Sequence, residues 1–253
     1  MEMDGETVFS RTELLLGAEA VDAFARLRVA VFGVGGVGGW CAESLVRSGV
    51  GHLTVVDSDR VCASNVNRQV MATSRTVGQM KVEALRDRLL EINSDAEVVA
   101  EARAYSPETS ATFGLGGFDY VVDAIDSVAA KAHLINSVTR LEHPVLVSSM
   151  GAARRTDPFR IRQSEFWKVR GDGLARALRV RFRKAGAFPA KKFTCVWSDE
   201  TPAPPGEGGA LGSAVHVTAM FGFALAGLVL QDVTTTGKMP VVPVRRNMVN
   251  YPP

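Results

Sequence analysis

Apolar residues recur along this chain with two periods, near two and near three and a half, and the exchange between them predicts alternating strands and helices. Leu14, Leu15, Ala18 and Val21 keep helical spacing within residues 9–24, and Gly17 interrupts them, so one or two short helices open the chain. An apolar run at 29–32 follows, then a glycine turn, a helical pattern over 38–48 stopped by Gly49, and a second apolar run at 53–56. Lys81 begins an amphipathic helix with Val82, Leu85, Leu89 and Ile92 on one face. Further strands are expected at 97–102, 118–125, 145–148 and 193–197, with a helix over 174–184 and an apolar one within 211–230. This alternation predicts the α/β class: a doubly wound, mostly parallel sheet with a basic, partly flexible elaboration in its second half. Residues 239–253 are broken by prolines and expected to be poorly ordered.

Residues 211–230 carry no formal charge and are long enough for a membrane span. Ser213, His216 and Thr218 within them, and the lack of a flanking basic cluster on the near side, favour a buried core helix and no membrane. The N-terminal stretch is acidic and has no apolar h-region, unlike a signal peptide. Cys41, Cys62 and Cys195 form no CxxC pair, which argues against a disulfide framework or a four-cysteine zinc site and fits a reducing cytoplasm. With 253 residues and 46% hydrophobic content, one large domain is expected. The net charge of +2 hides an asymmetry, because residues 154–192 hold thirteen bases against three acids. That segment therefore points to a polyanion, and Phe166, Trp167, Phe182, Phe188 and Phe193 interleaved with the bases point to nucleic acid with some stacking. Arg176, Arg179, Arg181, Arg183 and Lys184 are the candidate contacts. A solvated basic face is the plainer alternative.

The chemistry begins at the glycine turn. Gly33, Gly35, Gly36 and Gly38 sit between an apolar run and a helical pattern, and Asp57 ends the next run nineteen residues after Gly38. Strand, glycine turn, helix, strand and acid form a Rossmann-like nucleotide-binding unit: backbone N–H groups meet phosphate, and the acid meets ribose hydroxyls. A nicotinamide dinucleotide is the default ligand of such a unit. Beyond it, however, Asn65, Asn67, Arg68 and Gln69 crowd a polar stretch, and Lys81 follows. Asp57, Arg68 and Lys81 together fit triphosphate recognition, in which cations neutralise phosphoryl oxygens. Asp123 and Asp126 end the strand at 118–125, and two acids beside a nucleotide site suggest Mg²⁺ held by carboxylate and phosphate; Asp126 as a helix cap is an equal alternative.

These stretches resemble the ubiquitin-activating-enzyme-like superfamily of the MoeB/ThiF type. The matching residues are FSR at 9–11, GVGGVG at 33–38, GVGHLTVVDSD at 49–59, NVNRQ at 65–69, VGQMKVE at 77–83 and DAIDS at 123–127. The resemblance implies an ATP site for carboxylate adenylation. In it Gly33, Gly35, Gly36 and Gly38 form the phosphate turn, Gly36 lies against the α-phosphate, and Asp57 holds the ribose. Asp59, Asn65 and Gln69 join the ATP-binding set, Arg68 and Lys81 contact phosphates, and Asp126 holds Mg²⁺. It also implies a homodimer in which Arg11 reaches the partner subunit's ATP. Members that activate sulfur carriers usually carry two CxxC zinc pairs, which this chain lacks.

SSMGAARRTDPFRI at 148–161, DGLARALRVRFRKAG at 172–186, VWSDETP at 196–202 and the GSAVHV segment are similar instead to the tRNA threonylcarbamoyladenosine dehydratases. Residues 203–209 depart from that pattern in being short and rich in proline. The resemblance implies an ATP-dependent dehydratase that adenylates the carboxylate of N6-threonylcarbamoyladenosine at tRNA position 37 and closes a ring with release of AMP. It needs no catalytic cysteine, so Cys195 is read as structural. Residues 1–253 are then one adenylating domain, with an ATP-binding core at 9–151 and a tRNA-contacting, dimer-supporting part at 152–253. A sulfur-relay protein is a further candidate partner. The alternatives are an activating enzyme for a small Gly-Gly-tailed sulfur-carrier protein, a non-catalytic nucleotide-gated module, or an NAD enzyme.

Overall fold

The computed structural model describes residues 7–209 and 211–236; the extreme N-terminus and the proline-broken tail lie outside the described residues. Two short helices come first, α1 (Ser10–Leu16) and α2 (Ala18–Arg26), parted at Gly17, whose φ of +88° suits a residue without a Cβ. β1 (Arg28–Phe32), α3 (Gly38–Arg47) and β2 (His52–Val56) then build the βαβ unit where the pattern predicts it. α4 (Lys81–Ile92), β3 (Glu97–Glu101), β4 (Tyr120–Asp123), α5 (Val128–Thr139) and β5 (Val145–Ser149) continue the alternation. The second half adds β6 (Ile161–Glu165), α6 (Gly173–Ala185), β7 (Thr194–Ser198) and α7 (Val215–Thr236).

The strands form one sheet in the order β3-β2-β1-β4-β5-β7-β6. All neighbours are parallel except β6, which runs antiparallel to β7 as the edge. The sequence pattern does not announce β6. Its IRQSE lacks an apolar run, and the strand forms by pairing with β7, with Trp197 Nε1 donating to Ser164 Oγ at 2.9 Å. A charged edge strand of this kind resists pairing with another chain.

Parity along the strands divides the core. Val29 and Val31, Leu53 and Val55, and Val122 point to the face covered by α3, α4 and α7; Ala30, Phe32, Val56 and Val121 point to the face covered by α5 and α6. α7 is long and apolar enough to cross a membrane by length and composition, yet Val217, Phe221, Leu225, Ala226 and Val229 on it are fully buried in the core. It lies so close to α3 that a Cβ added at Gly222 would sit 2.6 Å from the carbonyl oxygen of Val37. On the other face, Asp172 caps α6 by accepting from Ala175 N–H at 2.9 Å, and Phe182 anchors the helix among Phe166 and Phe193. The stretch after α6, expected to be flexible, is tied back by Ala190 N–H donating to Thr139 Oγ1 at 3.1 Å and by Lys191 Nζ donating to the Glu142 carbonyl at 2.9 Å.

Candidate active site

A cavity of about 840 Å³ opens beyond the carboxyl ends of β1, β2, β4 and β5. Strand order reverses between β1 and β4, and open α/β sheets place ligands at such a switch. Gly33, Gly35, Gly36, Asp57, Asp59, Asn65, Arg68, Gln69, Lys81 and Asp126 all line it, although they span ninety-four residues of sequence.

The glycine turn works by close approach. Gly33 has φ +84°, and a Cβ there would meet the Ala124 carbonyl oxygen at 2.7 Å. A Cβ on Gly38 would fall on the carbonyl oxygen of Gly33, so Gly38 closes the turn from behind and does not line the cavity. Asp57 locks the turn: its Oδ2 accepts from Val34 N–H and its Oδ1 from Asp59 N–H, both at 2.9 Å. Each carboxylate oxygen keeps a second lone pair, so the same side chain can accept from hydroxyls in the cavity.

The polar stretch after β2 supplies the side walls. Asn65 is buried and its Oδ1 accepts from Cys62 N–H at 3.0 Å, which shapes the turn that presents Arg68. Arg68 donates from Nη1 to the Ser64 carbonyl at 2.9 Å and to Asn67 Oδ1 at 3.0 Å, while Trp40 Nε1 holds the Arg68 carbonyl at 2.9 Å. Gln69 is buried, and its Oε1 has no hydrogen-bond partner among the described residues. A buried orphan acceptor costs about 1–3 kcal/mol unless something fills it, and a bound nucleotide is one such filler. Lys81, the first residue of α4, is 92% buried at its side chain and pairs with the exposed Asp59 at 2.7 Å. The sequence set both on the nucleotide; the structure adds that they meet each other.

The two acids at the end of β4 separate. Asp123 is fully buried, pairs with the fully buried Lys131 at 2.9 Å, and accepts from Ser148 Oγ at 2.7 Å. Its carboxylate is engaged by Lys131, Ser148 and the Ile125 N–H and does not line the cavity, so of the two acids only Asp126 faces it. Asp126 is exposed on the cavity wall, and the N-cap of α5 is Ser127, so Asp126 does not cap that helix. Among the described residues no group of three or more His, Cys, Asp or Glu side chains could hold a metal. Mg²⁺ bound through one carboxylate and phosphates fits this donor set; an all-protein metal site does not.

Several lining residues stand outside the expected site set, although Met150, Gly151, Arg154 and Arg155 fall within the stretch at 148–161 that resembles the dehydratases. Arg103 and Tyr105 follow β3; Met150, Gly151, Arg154 and Arg155 follow β5; Thr218 comes from α7. The switch-point rule points to the loops after β3 and β5, whereas nothing local signals Thr218. Arg155 and Asp172 form a buried pair at 3.0 Å, and Asp172 Oδ2 also accepts from Gly151 N–H at 3.1 Å. Arg155 further donates to the carbonyls of Gly151 and Glu200, so it knits the far wall together. Arg154 holds φ +61°, a left-handed conformation unusual for a residue with a side chain.

Other expected residues lie elsewhere. Arg11 is exposed on α1, outside the lining of its own cavity, beside Leu14 and Leu15, which are 80% and 81% exposed. Arg176, Arg181, Arg183 and Lys184 are exposed on α6. Arg179 turns inward: its Nη2 donates to the carbonyls of Phe166 and Val169 at 2.7 Å each, and its guanidinium lies 5.1 Å from the Phe166 ring centre. Phe166, Phe182 and Phe193 are core residues, which removes three of the five aromatics expected to stack. Cys195 is buried, and burial pushes its thiol well above its ordinary pKa, consistent with a structural part.

Comparison with known proteins gives the family. The model of the ThiF family matches residues 9–251. A tRNA threonylcarbamoyladenosine dehydratase of Bacillus subtilis is 43% identical over 194 residues, covering 77% of this chain and 75% of that protein. The dehydratase of the same name from Escherichia coli is 36% identical over 239 residues, covering 85% of this chain and 89% of that protein. The crystal structure of the E. coli enzyme, TcdA, in complex with ATP superposes with a TM-score of 0.85 at 34% identity, covering 93% of this chain and 97% of that one. A βαβ nucleotide unit, an extended second half and matches over nearly the whole length leave one assignment: the chain belongs to the ThiF family.

Proposed function

We propose that this protein is an ATP-dependent dehydratase of N6-threonylcarbamoyladenosine in tRNA, acting at position 37. The observation that carries the reading is the convergence of the glycine turn, Asp57, Arg68, Lys81 and Asp126 on one cavity, in a chain whose relatives, matched over most of their length, bear the name tRNA threonylcarbamoyladenosine dehydratase. When bound, ATP supplies the adenylyl group that makes a carboxylate a good electrophile, and Mg²⁺ on Asp126 supplies positive charge at the phosphates.

The residues divide the work. Asp57 fixes the glycine turn and accepts from ribose hydroxyls. The backbone N–H groups of Gly35 and Gly36 face phosphate oxygens, and Arg68 with Lys81 offsets the repulsion between an incoming carboxylate and phosphate. Asp59 holds the Lys81 ammonium at the cavity floor at 2.7 Å. Asn65 and Gln69 complete the wall. Ring closure uses an atom of the substrate itself, so no side-chain nucleophile is required, and the inert Cys195 agrees with that. Residues 1–253 act as one adenylating unit in a homodimer, with Arg11 serving the partner's site. tRNA is held by Arg176, Arg181, Arg183 and Lys184, in a cytoplasmic setting. A sulfur-relay protein remains a partner to be sought with the purified dimer.

The test is mass spectrometry of tRNA nucleosides after incubation with the protein, ATP and Mg²⁺. The expected result is loss of one water from threonylcarbamoyladenosine with one AMP released per nucleoside. Pyrophosphate exchange that ignores tRNA and requires a Gly-Gly-tailed protein would replace this reading with carrier activation.

A further inference from the structure

Most exposed aromatics on a protein surface are solitary and need no function. Trp167 and Phe188 are different in three respects. They are 37% and 48% exposed, and their ring centres lie 6.3 Å apart. They fall inside the most basic stretch of the chain, with Lys168 and Arg170 following Trp167 and Lys184 preceding Phe188, all exposed. The turn that carries Trp167 is also held unusually firmly. Glu165 Oε2 accepts from Trp167 N–H at 3.1 Å, Arg170 Nη1 donates to the Trp167 carbonyl at 2.7 Å, and Arg179 clamps the carbonyls of Phe166 and Val169. The Trp167 ring rests edge-to-face on the buried Phe166, with centres 5.0 Å apart. Five residues later the chain reaches Asp172, in the far wall of the cavity.

An exposed aromatic face on a firmly held turn, in a stretch rich in exposed cations, suits a ligand that offers π-faces and negative charge together, which is single-stranded nucleic acid. A protein partner would favour a surface depleted of charge at its centre, and these cations argue against that. The 6.3 Å spacing and the 44° tilt between the rings leave no slot for a base between them, so stacking uses the outer face of Trp167. We propose that Trp167, backed by Phe188, is a stacking platform for an unpaired base of the RNA substrate beside the nucleoside that enters the cavity. This rests on the tRNA reading above. Arg179 is then a positioning residue, because it holds the platform's backbone and leaves phosphate contact to its neighbours.

The experiment uses the full chain and an anticodon stem-loop RNA carrying threonylcarbamoyladenosine, with 2-aminopurine placed in turn at each neighbouring loop position. Wild type should quench the probe at one position on binding. Trp167→Ala should abolish that quench and weaken stem-loop binding about tenfold to a hundredfold, with ATP affinity unchanged. Trp167→Tyr should restore both, and Trp167→Leu, apolar but without a π-face, should not. If Trp167→Ala lowers thermal stability, Phe188→Ala and the Tyr and Leu variants decide the matter. Wild-type binding without quench at any position, or unchanged quench in Trp167→Ala, overturns the platform while leaving the dehydratase reading standing. Failure of wild type to bind or dehydrate the stem-loop instead removes the tRNA reading itself.

Discussion

At the scale of single residues, DAIDS shows how two carboxylates three positions apart take opposite roles. Asp123 ends a buried strand and must be paired; Asp126 has left the sheet and faces the cavity. Replacing Asp126 with Ala should leave the fold intact and lower AMP release about a hundredfold or more, read by single-turnover assay with ATP and Mg²⁺. Replacing Asp123 with Ala strands the Lys131 ammonium in the core and should cost about 3–5 kcal/mol of stability, read by denaturant unfolding. Equal effects on stability and turnover in both variants would refute this division. The sequence displays both acids, but Lys131 lies eight residues on, and only folding brings its Nζ to Asp123.

Among elements, the contact that matters most for the site is α3 against α7. α3 begins in the glycine turn, and α7 presses on it through Gly222, where backbone meets backbone. A methyl group there must push against Val37, in the turn itself. Gly222→Ala should therefore destabilise the protein by about 1–3 kcal/mol and also weaken ATP binding, measured by chemical denaturation and by calorimetric titration. A variant with a wild-type unfolding midpoint would show that the crossing relaxes without cost. The glycines of the turn are legible because they recur in a motif of known geometry. Gly222 is not, because it reads as one more small residue in an apolar run until a second helix is laid on it. β6 escaped for a similar reason: an edge strand buries little and needs no apolar alternation.

For the whole molecule, the exposed leucines of α1 and the position of Arg11 outside its own cavity fit a second copy that covers the one and uses the other. In such a dimer a subunit carrying Arg11→Ala and one carrying Asp126→Ala produce one site with both lesions and one with neither. Random exchange of equal amounts of the two inactive variants makes half of the dimers mixed, each with one whole site of two, so the mixture should regain about a quarter of the wild-type specific activity. Activity that stays at the level of the separate variants would place Arg11 outside the partner's chemistry. Leu14→Asp with Leu15→Asp should at the same time shift the sedimentation of the protein from dimer to monomer.

What the sequence by itself determined is the set of elements other than β6, and the class of chemistry. Periodicity is a local property of the chain, and the glycine turn, NVNRQ, Lys81 and DAIDS each carry their chemistry in residue type and short spacing. What only the tertiary structure decided is which polar groups are free to act. Asp59 meets Lys81, Lys131 consumes Asp123, Arg179 is drawn onto backbone carbonyls, and three phenylalanines of the basic segment pass into the core while Trp167 and Phe188 stay outside. Those outcomes depend on partners distant in sequence and on burial, because a charge or ring is committed or available only once its neighbours in space are known.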